Sequence, residues 1–420
     1  MPNTKRPDAG QRGVNRRHIL FGGAAAGVGA LAAVGAQIAG GSGNPPAAEG
    51  PPEDGAASGA AAVVPFYGAR QAGIDTPAQA HGVFLALDLR PDLPARRLAA
   101  LLRLLSDDAA ALTRGRPALA DTEAELALNP ARLTVTFGFG PRVFTVAAAK
   151  GMPSWLRPLP AFGIDRLQPA YTGGDLLLQI CADDPLTVAH ARRMLLKDSR
   201  SFATLRWVQP GFLHASGAAP AGATPRNLFG QLDGTGNPAP GGSVNRVVWG
   251  DAAVEPWIQD GTSVVIRRIA MNLDTWDELD RRGREEAAGR RLVTGAPLTG
   301  SAEHDEPDFQ ALNGLGFPVI AETSHLRRAR PDDERQRILR RPYNYDDPPS
   351  AASAEAGVVS NSGQIFVSYQ ANVDRQFVPI QERLDRMDIL NEWTTPIGSA
   401  VFAVPPGARE GGFVGEPLFG

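Results

Sequence analysis

The order of predicted strands and helices restricts the fold of this 420-residue chain more than any other feature. From residue 81 to residue 209, hydrophobic periodicity and capping signals predict a strand, a helix, two strands, a helix and a strand. These elements are predicted at His81–Arg90, Pro94–Arg114, Leu133–Phe139, Asp175–Ala182, Pro185–Asp198 and Phe202–Gln209. This order is the βαββαβ pattern of a ferredoxin-like fold.

The same order recurs in the second half of the chain. Its elements are predicted at Thr262–Leu273, Trp276–Ala287, Gln364–Gln370, Phe377–Met387 and Ala400–Val404. Thr275 is the predicted N-cap of the helix that starts at Trp276, and Glu278 has the spacing of a capping box. The missing strand is predicted near Arg340–Tyr345, within a long irregular region of the kind that is usually functional. The sequence therefore predicts an α+β protein of two ferredoxin-like halves with antiparallel sheets.

The N-terminus has the pattern of an export signal. Asn15-Arg16-Arg17-His18 is followed by an uncharged stretch rich in Gly and Ala that continues to about Gly41. Paired arginines before such a stretch predict a signal peptide of the twin-arginine route. A membrane anchor is the alternative, but this much Gly and Ala makes a poor bilayer helix. The predicted divisions are a signal peptide at 1–41, a disordered linker at 42–62, an N-terminal ferredoxin-like domain at 63–222 and a C-terminal one at 223–420.

Composition permits a folded core and argues against a nucleic-acid-binding protein and against an intrachain disulfide. Hydrophobic residues make up 43% of the chain, which is enough for a real core, and the formal net charge is -3. The chain has neither a basic tract nor interleaved basic and aromatic residues, so we expect no nucleic-acid partner. The one cysteine, Cys181, lies in an apolar run, which favours a buried structural thiol and rules out an intrachain disulfide.

Residues 224–238, Thr-Pro-Arg-Asn-Leu-Phe-Gly-Gln-Leu-Asp-Gly-Thr-Gly-Asn-Pro, carry the strongest functional pattern. Gly230, Gly234 and Gly236 fall within seven residues, so the backbone can pass close to a flat or bulky group. Asp233 is a single carboxylate among mostly neutral residues. The alternative is an ordinary surface loop, because Asp-Gly and Asn-Pro both mark tight turns.

The run Gly230-x-x-Asp233-Gly234-Thr235-x-Asn237-Pro238 resembles the signature of the dye-decolorising haem peroxidases. The preceding Thr-Pro-Arg-Asn-Leu-Phe resembles an exported subgroup of that family, which includes the periplasmic deferrochelatase/peroxidase. Further runs resemble the same subgroup in the same order, at residues 294–300, 303–308, 324–331 and 338–343. The resemblance covers most of residues 64–420 and implies two ferredoxin-like halves with haem in the second.

The resemblance also implies roles for individual residues. His325 matches the axial ligand of the iron, Asp233 the distal acid/base, and Arg340 the distal arginine. Residues that match haem contacts are Gly234, Thr235, Gly236, Arg290, Arg330, Pro331, Asp332 and Arg340. Three positions depart from the family pattern: Arg330 replaces a common Asn, Asp332 a basic residue, and Pro342 a Gly or Asn. Apart from the resemblance, most of the arginines in these loops are predicted to be solvated charges, namely Arg327, Arg328, Arg330 and Arg341.

The other histidines receive no ligand role. His18 belongs to the signal, His81 and His190 lie in or beside regular elements, His214 lies near the predicted domain junction, and His304 lies in an acidic loop. The resemblance implies haem b as the cofactor, and the absence of a Cys-x-x-Cys-His motif, which excludes covalent c-type attachment, agrees with non-covalent binding.

The resemblance implies a peroxidase that reduces hydrogen peroxide and oxidises dyes, phenols or other organic donors in one-electron steps. Surface aromatic residues would carry electrons from donors too large to reach the iron. The alternative within the family is a deferrochelatase that handles haem for iron uptake together with a membrane permease. A non-enzymatic haem carrier is less favoured, because a carrier has no need of Asp233 with Arg340. Implied partners are the twin-arginine translocase and further copies of the chain, in a periplasm or outside the cell.

Overall fold

The computed structural model describes residue 59 and residues 61–220, 222–249, 255–331 and 333–419. The predicted signal peptide and most of the predicted linker lie outside these residues. None of the helices in the described ranges combines the length and the apolar character needed to cross a membrane.

The first half follows the predicted order with one added helix. Its α-helices and strands are β1 (His81–Leu89), α1 (Ala95–Leu112), β2 (Thr134–Phe139), α2 (Pro141–Ala147), β3 (Leu176–Ala182), α3 (Pro185–Ser199) and β4 (Ala203–Phe212). Short 3₁₀ turns lie at Ala124–Ala127 and Pro169–Tyr171. The strands pair antiparallel in the order β4-β1-β3-β2, which is the ferredoxin-like order.

The second half repeats this arrangement with more irregular connections. Its elements are α4 (Gly242–Val244), β5 (Thr262–Met271), α5 (Leu273–Trp276), α6 (Arg281–Ala288), α7 (His325–Ala329), β6 (Leu339–Arg340), β7 (Tyr343–Asp347), α8 (Ala351–Glu355), β8 (Asn361–Gln370), α9 (Phe377–Met387) and β9 (Thr394–Val404). A π-helical turn occupies Asn245–Trp249, and 3₁₀ turns occupy Pro256–Ile258, Glu334–Gln336, Ile389–Glu392 and Glu416–Phe419. The strand order is β9-β5-β8-β7, with β6 also on β8.

The two sheets are joined at both edges by single residue pairs. Phe139 of β2 pairs with Ala403 of β9, and Phe212 of β4 pairs with Asn344 of β7. Each half also has a register shift between its first and last strands, after Ala86 in β1 and after Arg268 in β5. The α+β class with two ferredoxin-like antiparallel sheets is therefore confirmed.

Among the described residues, the two largest of three apolar cores hold these layers together. One contains the leucines that recur along α1 and the apolar face of α3, packed on the first sheet. The other brings together side chains of both sheets, including Phe84, Trp207, Ile266, Tyr343 and Phe402. The strands that the sequence predicted from apolar runs are buried because they lie between these two cores.

Local chemistry fixes several element boundaries. Asp184 caps α3 by accepting a hydrogen bond from the backbone N–H of Thr187 at 2.8 Å, and Pro185 occupies the first helical position. Pro342 separates β6 from β7, since proline has no N–H to donate to a sheet. The strand predicted near Arg340–Tyr345 is therefore present, but as two short strands.

The helix predicted at Trp276–Ala287 is confirmed from Arg281 onward, but its first part and its predicted N-cap are wrong. The chain forms two helices there, α5 and α6, and Thr275 lies inside the first of them. The side chains of Asn272 and Asp280 are the actual N-caps, and Asp280 accepts from the N–H of Gly283 at 2.7 Å. Helix α5 ends at Trp276, and α6 begins after Asp280, whose extended backbone and capping side chain start a new helix, a role that Asp favours over a helix interior.

Candidate active site

A cavity of about 270 Å³ is lined by residues of the second half of the chain and by Ile164 of the first half. Strands β5 and β8 and helices α7 and α9 contribute to its walls, together with the loop that contains residues 227–236. Most of its lining is apolar, with side chains such as Phe229, Ile269, Leu326, Phe366 and Phe377. The rest of the lining consists of polar and charged side chains, and an apolar wall combined with placed polar groups is the usual character of a site for a cofactor.

Asp233 is fixed at one side of this cavity by hydrogen bonds to both carboxylate oxygens. Arg340 Nη1 donates to Oδ1 at 3.0 Å, and Gln364 Nε2 donates to Oδ2 at 2.6 Å. The backbone N–H of Asp233 is bonded to the carbonyl of Pro225 at 2.8 Å. Only 14% of the Asp233 side chain is exposed, so its direction is determined by these partners.

His325 is the first residue of α7, and it also lines the cavity. Its Nδ1 lies 2.5 Å from Oδ2 of Asp388, whose Oδ1 accepts from the N–H of Leu390 at 3.0 Å. Burial disfavours a proton on His325, but the Asp388 carboxylate outweighs this and raises the pKa of His325 overall. Since Nδ1 is used by Asp388, Nε2 is the nitrogen available to a ligand in the cavity.

Two arginines at the cavity wall differ in their surroundings. Arg290 Nη1 donates to the carbonyls of Gly295 at 2.6 Å and Glu303 at 2.9 Å. Burial, followed by the charge of Arg340, lowers the pKa of Arg290. Arg330 instead forms an ion pair with Glu306 at 2.6 Å. Both line the cavity and retain N–H groups that suit an anionic substituent of a ligand.

The Gly-Thr-Gly run beside Asp233 is held by Glu303. Thr235 Oγ1 and Thr224 Oγ1 donate to the same oxygen of Glu303, at 2.8 Å and 2.6 Å. Burial opposes ionisation of Glu303, but these two hydrogen bonds help to lower its pKa overall. Gly234 has a φ of +144°, a conformation that L side chains rarely adopt. This conformation and the Glu303 contacts set the path of the loop along the cavity.

The structure brings most of the predicted site residues to one cavity. Asp233, Thr235, Gly236, Arg290, His325, Arg330, Pro331 and Arg340 all line it. Gly234 is not among the lining residues, and Asp332 lies outside the described residues. The remaining histidines that the structure describes fall elsewhere: His190 bonds Asp121 at 2.8 Å, and the side chain of His304 is 74% exposed.

The prediction of solvated loop charges is wrong for Arg341. This residue is buried, and its guanidinium donates to the carbonyl of Thr76 and to Oε1 of Gln79, both in the first half of the chain. Its neighbour Arg340 faces the cavity, so the two arginines of the pair have different surroundings. Cys181 is buried and free, as predicted, and burial raises the pKa of its thiol.

Sequence reasoning missed three residues that position the site. Asp388 lies 63 residues from His325, Gln364 lies 131 residues from Asp233, and Glu303 lies 68 residues from Thr235. The only signal for Asp388 was its place directly after a predicted helix, and Gln364 marked only the start of a predicted strand. Neither position indicates a partner, because these contacts are made between distant segments.

The residues present fit a haem group. His325 offers a single imidazole nitrogen whose opposite nitrogen is oriented by a carboxylate, an arrangement used for iron ligation. Apolar walls suit the porphyrin, the two wall arginines suit its propionates, and the same cavity contains the Asp233–Arg340 pair.

Comparison with known families gives two matches along the chain. Residues 71–213 match the model "Dyp-type peroxidase, N-terminal", and residues 224–409 match the model "Dyp-type peroxidase, C-terminal". The second match contains all of the polar cavity residues discussed above.

Individual relatives agree with this. A dye-decolorizing peroxidase of Thermobifida fusca is 37% identical over 98% of this chain and 99% of its own length. A deferrochelatase of Escherichia coli is 35% identical over 82% of this chain and 84% of its own length. Among solved structures, a DyP-type peroxidase from Cellulomonas bogoriensis is 52% identical, with a TM-score of 0.83 over 86% of this chain and 99% of that one. Ferric DtpA from Streptomyces lividans is 40% identical, with a TM-score of 0.81 over 86% of this chain and 98% of that one.

Proposed function

This chain belongs to the Dyp-type peroxidase family, whose members are haem-dependent peroxidase enzymes, and on that premise we propose specific roles for its residues. The protein binds haem b non-covalently and reduces hydrogen peroxide. It oxidises dyes, phenols or other organic donors in one-electron steps. The observation that carries this proposal is the placement of His325, Asp233 and Arg340 around one largely apolar cavity, with Asp233 and Arg340 3.0 Å apart.

His325 would hold the cofactor through Nε2. Asp388 keeps the proton on Nδ1 and orients the ring, which makes Nε2 the more basic donor. Arg290 and Arg330 would bind the propionates, and Arg330 would then share its guanidinium between a propionate and Glu306. Gly234, Thr235, Gly236, Pro331 and Asp332 stay predicted haem contacts.

Bound in this cavity, haem would supply the iron at which the peroxide O–O bond breaks and the oxidising equivalents that the organic donors consume. Asp233 would take the proton from one peroxide oxygen and deliver it to the other, which then leaves as water. Gln364 and Arg340 hold the Asp233 carboxylate in one orientation for this transfer. Arg340 remains cationic and stabilises the negative charge that develops as the bond breaks.

Replacement of Asp233 by Asn tests this role. The amide keeps the size of the side chain and an oxygen for Arg340 but cannot take up the proton. We expect haem loading to stay normal and the reaction with peroxide to slow by about 10²- to 10⁴-fold. The Soret absorbance measures loading, and stopped-flow mixing with peroxide measures the rate. Asp92→Asn, at an exposed position in the first half, is the charge-matched control. A wild-type rate in Asp233→Asn would refute the proposed role.

A second function within the family is favoured by the deferrochelatases among the relatives. In that function the iron leaves the bound haem and two protons replace it on the porphyrin nitrogens. Incubation of the haem-loaded protein with a reductant, followed by porphyrin fluorescence, distinguishes the two functions. Metal-free porphyrin that appears at the same rate as free iron would favour deferrochelatase activity. A membrane iron permease would then be the expected partner. Peroxide turnover with intact haem supports the peroxidase proposal and also excludes a simple haem carrier.

We also propose export by the twin-arginine translocase to a periplasm or the outside of the cell, on the strength of Arg16 and Arg17. A reporter fused to residues 1–41 should leave the cytoplasm. Replacement of both arginines by Lys should keep the reporter in the cytoplasm. Export that is insensitive to this replacement would contradict the twin-arginine route. Assembly into a homo-oligomer stays a prediction, with analytical ultracentrifugation as its measurement.

A further inference from the structure

The side chain of Asn237 bonds both backbone polar groups of Arg340. Asn237 Nδ2 donates to the Arg340 carbonyl at 2.8 Å, and the Arg340 N–H donates to Asn237 Oδ1 at 3.0 Å. The two residues are 103 positions apart. A primary amide that bonds the N–H and the carbonyl of one residue in this way reproduces the paired hydrogen bonds between two strands.

The position of Arg340 in the sheet explains why these bonds matter. Arg340 lies in β6, and the next N–H, that of Arg341, donates to the carbonyl of Val367 in β8 at 2.8 Å. The N–H and carbonyl of Arg340 therefore point away from β8, toward the loop that contains Asn237. Asn237 satisfies two polar groups at a partly buried edge that the sheet itself leaves without partners.

Asn237 belongs to the same loop as Asp233. Its N–H donates to the carbonyl of Gly234 at 2.8 Å, which closes a turn directly after Asp233. The Asp233 loop and β6 are thus joined twice, once by the Asp233–Arg340 ion pair and once by the Asn237 amide. The ion pair connects the two reacting side chains, whereas the amide connects the backbones that carry them.

We propose that Asn237 is a positioning residue that fixes Arg340 relative to Asp233 for the reaction with peroxide. This inference rests on the roles proposed above for Asp233 and Arg340. Both side chains must reach the same peroxide, and a displacement of about 1 Å in such a site costs about 10²-fold in rate. Without the amide, the long Arg340 side chain would be tethered to the loop by its ion pair alone, and any shift of β6 would displace it.

Three variants separate the parts of this contact. Asn237→Asp keeps the shape and the acceptor for the Arg340 N–H but replaces the donor with an oxygen that faces the Arg340 carbonyl. Asn237→Ala removes both hydrogen bonds. Asn129→Asp places the same charge change at an exposed position of the first half and serves as the control.

The affinity of the ferric, haem-loaded protein for cyanide reports on the distal side without turnover. At pH 7 we expect Asn237→Asp and Asn237→Ala to raise the Kd for cyanide and to slow the reaction with peroxide, each by about tenfold to 10²-fold. The KM for the organic donor should stay near the wild-type value, because donor oxidation needs neither bond. Asn129→Asp should match the wild type in every measurement.

Acid should rescue the Asn237→Asp variant, which a loss of stability alone would not produce. Once protonated, the carboxyl group that this substitution introduces has an O–H for the Arg340 carbonyl and an acceptor for the Arg340 N–H, like the original amide. The peroxide rate of Asn237→Asp, divided by that of wild type at each pH, should rise as the pH falls. The other charged groups around this part of the cavity are common to both proteins, so their contributions cancel in this ratio; they are Asp233, Glu303, Arg290 and Arg340.

The Arg340→Leu variant separates this inference from the proposal beneath it. If Arg340→Leu binds cyanide and reacts with peroxide like wild type, the proposed role of Arg340 is wrong. If Arg340→Leu is impaired but the Asn237 variants match wild type, the positioning role is wrong. If the peroxide rate of Asn237→Asp is lowered by the same factor at every pH, with no rescue in acid, the positioning role is also wrong. If Asn237→Ala fails to bind haem, Asn237→Ser is a second variant that removes the paired hydrogen bonds to Arg340.

Discussion

At the scale of single residues, function depends on contacts that give each reacting group one orientation. Asp388 shows this for the proposed iron ligand: one of its oxygens faces His325 Nδ1 at 2.5 Å and the other caps the turn that contains Leu390. Only 4% of its side chain is exposed, so solvent competes little for the His325 contact. The carboxylate fixes both the ring position and the nitrogen that carries the proton.

Asp388→Asn should weaken haem binding by about tenfold, since a neutral amide lacks the charge that makes His325 Nε2 a strong donor. Transfer of haem to an excess of apo-myoglobin measures the loss rate, and redox titration should show a higher iron reduction potential. Asp374→Asn, which breaks the surface ion pair with Arg157, is the matched control. Equal haem loss and equal potential in Asp388→Asn and wild type would contradict a role for this carboxylate.

At the scale of elements, helices α1 and α3 meet at two carboxyl groups. The Oδ2 atoms of Asp108 and Asp198 are both buried, and each lacks a donor from the described residues. Burial and the neighbouring Asp108 raise the pKa of Asp198 from 3.8 to about 7. A proton held by Asp198 can bond Asp108, whereas two carboxylates would repel each other across this helix contact.

This pair makes a prediction about stability and pH. The folded state binds the Asp198 proton more tightly than the unfolded state does, so stability from this group is full below about pH 4 and is lost as the pH rises toward 7. Asp198→Asn removes the titration and keeps a donor for Asp108. The variant should gain stability relative to wild type between pH 5 and pH 8. Urea unfolding of both proteins at these two pH values measures the difference, and a constant difference would contradict the shared proton.

At the scale of the whole molecule, the Arg340-Arg341 pair connects the cavity to the first half of the chain. Arg340 turns to Asp233, while Arg341 reaches the carbonyl of Thr76 and the side chain of Gln79. Gln79 in turn donates to the carbonyl of Arg132 at 2.8 Å and to Thr134 Oγ1 at 3.1 Å. A buried network thus runs from the Arg340-Arg341 pair into the first sheet.

Arg341→Met should destabilise the protein by about 1–3 kcal/mol for each acceptor left buried without a donor. Urea unfolding measures this loss as a lower midpoint with an unchanged slope. Arg335→Met, at a side chain that is 91% exposed, is the control and should leave the midpoint unchanged. A midpoint for Arg341→Met equal to that of the control would show that the network contributes nothing to stability.

The sequence alone determined the features that depend on local chemistry. Periodicity predicted the strands and most helices, because the period of apolar residues follows directly from helix or strand geometry. The resemblance carried by Asp233, His325 and Arg340 predicted the family, which the comparisons confirm. The break between α5 and α6 escaped prediction since Thr275 and Asp280 are both good caps and only their surroundings select one.

The tertiary structure alone decided which distant groups meet. Nothing in the sequence indicated that Asp388 would orient His325, that Gln364 would hold Asp233, or that Asn237 would bond the backbone of Arg340. The sequence also could not show that Arg340 faces the cavity while its neighbour Arg341 is buried against the first half of the chain. The physical reason is that hydrogen bonds and burial act over a few ångströms of space. The separation of residues along the chain carries almost no information about that distance once strands and loops pack together.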